Sequence, residues 1–340
     1  MSDDRSDPRA GAILATAPEW SLRRLAGADW TSAALALLAV LAIVGLFHPD
    51  FLSAAQLLNV AQNSVYPALI AIGLVFLIPQ NEIDLSVGGN YVLTGVLAAL
   101  MIRAGLNPSL AALIALGAAV CIGLANAFTS QVVGIPSLIG TLAMGWMLHG
   151  MALAFSSGTQ VTGMPLSDPL FDILGGARLL GIPASVLLLA AAGALLTIIM
   201  HATPFGYRVR QIGSNPDAAA FSGIPIRLTK TVGYALAAFM AGLAGIVALT
   251  FFTTGDPQSG GGIELFAVAG VVIGGTPLAG GKASVFGAIV GAVLLTAVSV
   301  GLIYFQVPAT WAQFATGAVI LGAVSIDGLV QRQRRAGGQN

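Results

Sequence analysis

Two carboxylates stand close together in Asn81-Glu82-Ile83-Asp84-Leu85-Ser86-Val87-Gly88-Gly89-Asn90, between apolar runs and just after Pro79. If those runs cross a membrane, as argued below, a charge at the bilayer centre costs at least ~2.5 kcal/mol. Glu82 and Asp84 are then not expected to face lipid. Pro79 and the two glycines predict a broken helix, and irregular backbone at membrane depth is tolerated only inside protein or beside water. Two roles fit. Asp84 can be the N-cap or first-turn acid of the next helix, favoured at the positive end of the dipole. Alternatively Glu82 and Asp84, with Ser86, Asn90, Asn63 and Asn126, line or gate a solute path.

A second segment, Phe205-Gly206-Tyr207-Arg208-Val209-Arg210-Gln211-Ile212-Gly213-Ser214-Asn215-Pro216-Asp217-Ala218-Ala219-Ala220-Phe221-Ser222-Gly223, carries its own helix punctuation. Asn215 or Ser214 suits an N-cap, Pro216 the first position and Asp217 the first turn. Ala218–Ser222 makes one or two turns, and Gly223 stops them. Arg208, Arg210, Arg227 and Lys230 flank this short helix. It reads either as a rigid docking knob or as an ordinary basic loop.

A third segment, Gly274-Gly275-Thr276-Pro277-Leu278-Ala279-Gly280-Gly281-Lys282-Ala283, tempts a phosphate-loop assignment. That loop needs a glycine four residues before its Gly-Lys pair and a Ser or Thr after it. Here Thr276 and Ala283 hold those places, so nucleotide binding is rejected. Two helices meeting at a tight glycine turn is the expected structure. Of the other polar residues, His149, Asn59, Gln62, Asn63 and Asn126 can pin helices together or border a path. Glu264 reads as a dipole-compensated acid at a helix start. The histidines 48, 149 and 201 are too dispersed to suggest a metal site, and Cys121 is the one cysteine, which leaves no disulfide within the chain.

The elements that must position these residues follow from composition. Of 340 residues, 56% are hydrophobic and 8% charged, against roughly 25% charged in soluble domains. Mean hydropathy is +0.90. The chain is therefore an all-α polytopic membrane protein. Fourteen basic and fourteen acidic residues balance to zero, which gives no nucleic-acid footprint. Charge-free gaps of about 20 residues or more locate the spans. They predict helices over 31–47, 57–78, 83–102, 109–130, 137–155, 183–202, 231–251, 263–275, 284–305 and 310–329, about ten in all. Eight spans remain open if the eighth and ninth helices are re-entrant. The first apolar run begins at residue 31 and no small-residue cleavage site follows it, so it is expected to be retained.

With the N-terminus inside, twelve Lys and Arg fall on inner segments and only Arg103 and Arg178 outside. The positive-inside rule then puts both termini in the cytoplasm. The chain divides into a polar tail 1–28, a membrane domain 29–330 with an inner loop 203–230, and a tail 331–340. Residues 72–100 and 269–295 share an apolar run, a Gly- or Asn-containing break and a small-residue helix, as a parallel internal repeat would give.

Together the three motifs resemble the permease subunits of ABC-type importers for ribose, xylose, arabinose and related simple sugars. The resemblance rests on Glu82-Ile83-Asp84-Leu85-Ser86-Val87-Gly88, on Gly213-Ser214-Asn215 with Ala218-Ala219 and Ser222-Gly223-Ile224, and on Gly274-Gly275-Thr276 with Leu278-Ala279-Gly280-Gly281-Lys282. Its spacing runs from about 57 to 327. Many members have Gly-Gly before Ile-Asp-Leu-Ser where this chain has Asn81-Glu82, which bears on substrate identity and not on membership.

The resemblance implies a pair of permeases, two copies or a copy and a paralogue, in the bacterial inner membrane. It implies a cytoplasmic ABC ATPase docked at 214–222 through Arg208, Gly213, Ser214, Asn215, Ala218, Ala219 and Gly223. It also implies a periplasmic sugar-binding protein, and ATP and Mg²⁺ held by the ATPase with no cofactor in this chain. The chain would make no covalent chemistry. The main alternative from the residues alone is a secondary transporter that uses Glu82, Asp84 and His149 to couple ions. A membrane enzyme lacks an acid–base or metal constellation here, and a channel lacks a charged ring or filter-like loop.

Overall fold

The computed structural model describes residues 30–308 and positions 311, 314, 317, 318, 321 and 322. Both tails and most of the helix expected over 310–329 lie outside the described residues. Nine of the expected helices are present: α1 Thr31–Phe47, α2 Ala54–Leu74, α3 Val87–Arg103, α4 Pro108–Phe128, α5 Ser137–Phe155, α6 Ala184–Ala202, α9 Ile226–Phe252, α10 Ile263–Ile273 and α11 Val285–Tyr304. Two more, α7 Pro204–Ser214 and α8 Pro216–Phe221, lie between α6 and α9. Among the described residues six segments are long and apolar enough to cross a membrane, and α1, α3 and α10 are shorter apolar helices. The fold is that of a polytopic helical membrane protein.

Local signals place the ends. Ser53 Oγ accepts the Gln56 N–H and starts α2, Asn107 Oδ1 accepts the Leu110 N–H with Pro108 at the first position of α4, and Ser284 Oγ accepts the Gly287 N–H at α11. Between α4 and α5 the chain loosens into a π-turn, Thr129–Val133, and reverses at Gly134, whose φ is 82°.

The core is built around α9, about 40 Å long at 1.5 Å per residue, which packs against α2, α3 and α4. Small residues bring the helices close. A Cβ on Gly245 would overlap the Tyr91 carbonyl oxygen of α3, and one on Gly123 would lie 2.6 Å from the Tyr234 carbonyl oxygen. Helix packing in lipid relies on such contacts, because lipid tails are as apolar as leucine. Outward-facing Leu38, Leu113, Ile139 and Trp146 are exposed, as a lipid-facing surface requires. Between α5 and α6 the chain holds one helical turn, Pro169–Phe171, and a π-turn, Asp172–Gly176, and leads into a hairpin pairing β1 Arg178–Leu179 with β2 Ile182–Pro183.

Two expected boundaries are corrected. The helix expected from 83 begins at Val87: the preceding backbone is held extended against α5, where Ile83 and Leu85 donate N–H groups to Ser137 Oγ and Thr141 Oγ1 and the Ile83 carbonyl accepts from Thr141 Oγ1. The helix expected from 231 begins at Ile226, so Arg227 and Lys230 belong to α9 and not to a loop.

Candidate coupling junction and buried polar cluster

The three motifs, far apart in sequence, meet at the end of the bundle that carries Arg208, Arg210 and Lys230. α7 is amphipathic and buries Gly206, Val209, Ile212 and Gly213. Phe205 stacks on Phe76 of the α2 extension at 5.8 Å, and Arg210 donates from Nη1 to the Met200 carbonyl. These contacts fix α7 to the bundle.

Gly213 sits directly on the helix break. The Gly281 N–H donates to the Pro79 carbonyl at 3.0 Å. A Cβ on Gly213 would overlap that carbonyl oxygen and stand 2.5 Å from Gly281 N. On the far side, a Cβ on Gly280 would meet Asn81 Oδ1 at 2.6 Å and one on Gly281 would meet Ser214 Oγ at 2.8 Å. Gly280 and Gly281 both have φ of 81°, a left-handed backbone that favours glycine. The junction is therefore backbone against backbone: 79–81 from the first break, 213–214 from α7 and 280–281 from the second break. Within the second break Gly275 is also left-handed, Gly274 packs on the Gly287 carbonyl, and Lys282 is exposed.

α8 projects beyond this junction. Asn215 Oδ1 accepts the Ala218 N–H at 3.0 Å, Pro216 takes the first position, Asp217 lies in the first turn, and Gly223 follows with φ of 75°. These are the roles the sequence predicts. Only Ala219 of α8 is buried, and Phe221 is 94% exposed. Tyr207 and Leu228 are exposed nearby, and Arg208 is half-buried.

Behind the break lies a polar cluster. Lys230 Nζ donates to Glu82 Oε1 at 2.5 Å, Tyr234 Oη donates to Oε2 at 2.9 Å, and Ser130 Oγ reaches Oε2 at 3.4 Å. A buried acid without such a partner is costly. Asp84 is fully buried and does not cap α3. Its Oδ1 accepts from the Ser86 N–H at 2.8 Å and Ser86 Oγ at 2.7 Å, an Asx-type turn that begins two residues ahead of the cap position, Ser86. Asn126 Nδ2 bridges from α4 to Asp84 Oδ2 at 3.3 Å and Ser86 Oγ at 2.7 Å. Asn90 Nδ2 reaches the Ala119 and Ala238 carbonyls and its Oδ1 accepts from Thr94. One side chain thus ties α3 to α4 and α9. Asn63 stands apart. It hydrogen-bonds Asn59 and borders a groove of about 390 Å³ between α2, α10 and α11.

This geometry makes one prediction. Asp84→Asn turns an acceptor facing Asn126 Nδ2 into a second donor. The unpaired groups should cost about 1–3 kcal/mol, read as a lower thermal midpoint in detergent together with reduced transport.

Residues 56–324 match the family described as the permease component of branched-chain amino acid transport systems. The ribose import permease protein of Escherichia coli K12 is 34% identical over 298 residues, 86% of this chain and 92% of that protein. Its Bacillus subtilis counterpart is 33% identical over 293 residues, 86% and 91% respectively. The D-allose transport system permease protein of Escherichia coli K12 is 30% identical over 299 residues, 86% and 90%. This chain belongs to the permeases of simple-sugar ABC importers. No solved structure matches it. Membership decides against the ion-coupled secondary transporter. Permeases of ABC importers carry no ATPase site of their own. Among the described residues, no group of three or more His, Cys, Asp or Glu could hold a metal ion.

Several features of the permease escaped sequence reasoning. The pairing of Glu82 with Lys230 spans 148 residues, so no local pattern announces it. The contact of Gly213 with Pro79 and Gly281 is likewise non-local. Phe221 left a signal that could have been used: a large aromatic at the end of a six-residue helix whose other side chains are a proline, an aspartate and three alanines.

Proposed function

We propose that two copies of this chain, or this chain and a paralogue, form the membrane path of a bacterial importer for a monosaccharide or related neutral polar solute. A periplasmic binding protein delivers the solute. A cytoplasmic ABC ATPase, holding ATP and Mg²⁺, docks on α7–α8. The positive-inside bias supports placing the Arg208–Lys230 end in the cytoplasm with both termini, across about ten spans of an inner-membrane domain covering 29–330. The ribose and allose names of the relatives, and the scarcity of intramembrane charge, support a neutral polyol as cargo.

The observation that carries this reading is the junction. A helix with an exposed aromatic tip is joined, backbone to backbone, to both helix breaks. Movement of α8 by the ATPase reaches Pro79–Asn81 and Gly280–Gly281 through Gly213 without an intervening flexible side chain. Glu82, Asp84, Ser86, Asn90 and Asn126 then act on the path by holding the break, and the Glu82–Lys230 pair links it to α9. Asn63 borders the path from the groove beside α10.

Co-purification tests this. Asn215→Arg removes the α8 cap, worth about 1 kcal/mol, and puts a bulky cation at the docking face. A Walker-motif ATPase is expected with the wild-type chain and is expected to be lost from this variant while membrane insertion is unchanged. Equal ATPase recovery from both would overturn the placement.

A further inference from the structure

At the other end of the bundle from the junction, α3, α9 and the 254–259 segment line a half-open cavity of about 280 Å³. Tyr91 and Phe252 contribute aromatic rings, and Gln160, Thr254, Asp256 and Ser259 contribute a carboxamide, two hydroxyls and a carboxylate. Val92, Val96, Ala248 and Leu249 line the remaining wall with Gly95, Gly245 and Gly255, the glycines letting α3, α9 and the 254–259 segment pack closely around it. No lining residue is basic.

The cavity has a strap. Val161 and Gly255 exchange two backbone hydrogen bonds of 2.9 Å, and Gln160 Nε2 donates to Asp256 Oδ2 at 3.2 Å. Asp256 is itself held in place, with Oδ1 accepting the Gln258 N–H at 2.9 Å. The strap ties the segment after α5 to the segment after α9 through three hydrogen bonds, and Val161 within it is fully buried.

Size and lining select a ligand class. Sites for drug-sized ligands run about 300–1,000 Å³, so this one suits a smaller solute. Rings against the C–H faces of a sugar, with acceptors and donors at its rim, match a monosaccharide. A lone carboxylate without a nearby cation disfavours an anion. We propose that this cavity is a transit station for one neutral monosaccharide, bordered by the 160–161/255–256 strap. The proposal rests on reading the chain as a sugar importer's permease, and it adds a place within one chain where the cargo pauses. Affinity there is weak, because a solute held tightly would not leave.

The test uses the complete complex in proteoliposomes, with its ATPase and binding protein, and radiolabelled D-ribose, L-arabinose and D-allose as probes. Thr254→Trp fills the cavity from a non-helical position and is expected to lower uptake at least tenfold with sugar-independent ATP hydrolysis unchanged. Asp256→Asn is expected to change the ratio of the three uptake rates at least fivefold, which a merely structural role would not do. Wild-type uptake in Thr254→Trp, or an equal loss for all three sugars in Asp256→Asn, overturns the station. A wild-type complex that takes up branched-chain amino acids and none of the sugars overturns the underlying sugar reading instead.

Discussion

Phe221→Glu is expected to lower the affinity of the permease for its ATPase at least 30-fold while leaving the membrane domain folded. The side chain is 94% exposed at the tip of α8, so its removal withdraws no packing from the bundle. An aromatic anchor of this kind fills a pocket on its partner, and truncating such a residue costs about 2 kcal/mol or more, which is roughly a 30-fold change in affinity. A carboxylate in the same pocket adds a desolvation penalty. Titration of the purified chain in detergent with its ATPase reads the affinity directly, and an unchanged thermal midpoint shows that the fold is intact. Affinity within threefold of wild type would remove Phe221 from the interface.

The second large effect is expected from Gly213→Val. Gly213 is buried in α7, so the exposed face of α7–α8 keeps its side chains, and the expected failure is in transmission. The new Cβ has no room beside the Pro79 carbonyl and Gly281 N. Both are backbone atoms joined to each other by a hydrogen bond of 3.0 Å, so neither yields as a flexible side chain would. Overpacking costs about 1–3 kcal/mol, and relief comes by separating α7 from one of the breaks. ATPase binding should stay within threefold of wild type while ATP-driven uptake falls below about a tenth, which is the signature of uncoupling. Gly117→Ala is the control. Gly117 lies exposed within α4 with nothing near its missing Cβ, and alanine there gains up to about 1 kcal/mol of helix propensity. Normal uptake in Gly213→Val would sever α7 from the mechanism.

What the sequence could convey depended on range. Thr31–Phe47 and Ser137–Phe155 begin and end where charge, proline and glycine predict, because span boundaries are set by the local cost of burying charge. The α8 cap was legible for the same reason, since Asn215, Pro216 and Gly223 act within a few residues of themselves. Val87 was not legible as the start of α3, because Ser137 and Thr141 hold the preceding backbone from 50 or more residues away. Asp84 looked like a cap by position alone. Its actual partners, Ser86 and Asn126, include one from another helix. α7 was missed as a helix because Gly206, Gly213 and the β-branched Val209 and Ile212 weaken propensity, and only contact with the bundle reveals its buried face. The motifs themselves were visible as separate segments, but their convergence on Gly213 is a property of the tertiary structure.

Photo-crosslinking from α8 tests the central claim most directly. A photoreactive phenylalanine analogue at position 221 of the full chain, irradiated in the native membrane, labels whatever covers the tip of α8. The account predicts a single dominant adduct with a Walker-motif ATPase, identified by mass spectrometry and abolished by Asn215→Arg. Adducts from position 221 with lipid alone, alongside capture of the ATPase from a probe at Gln160 at the other end of the bundle, would contradict it.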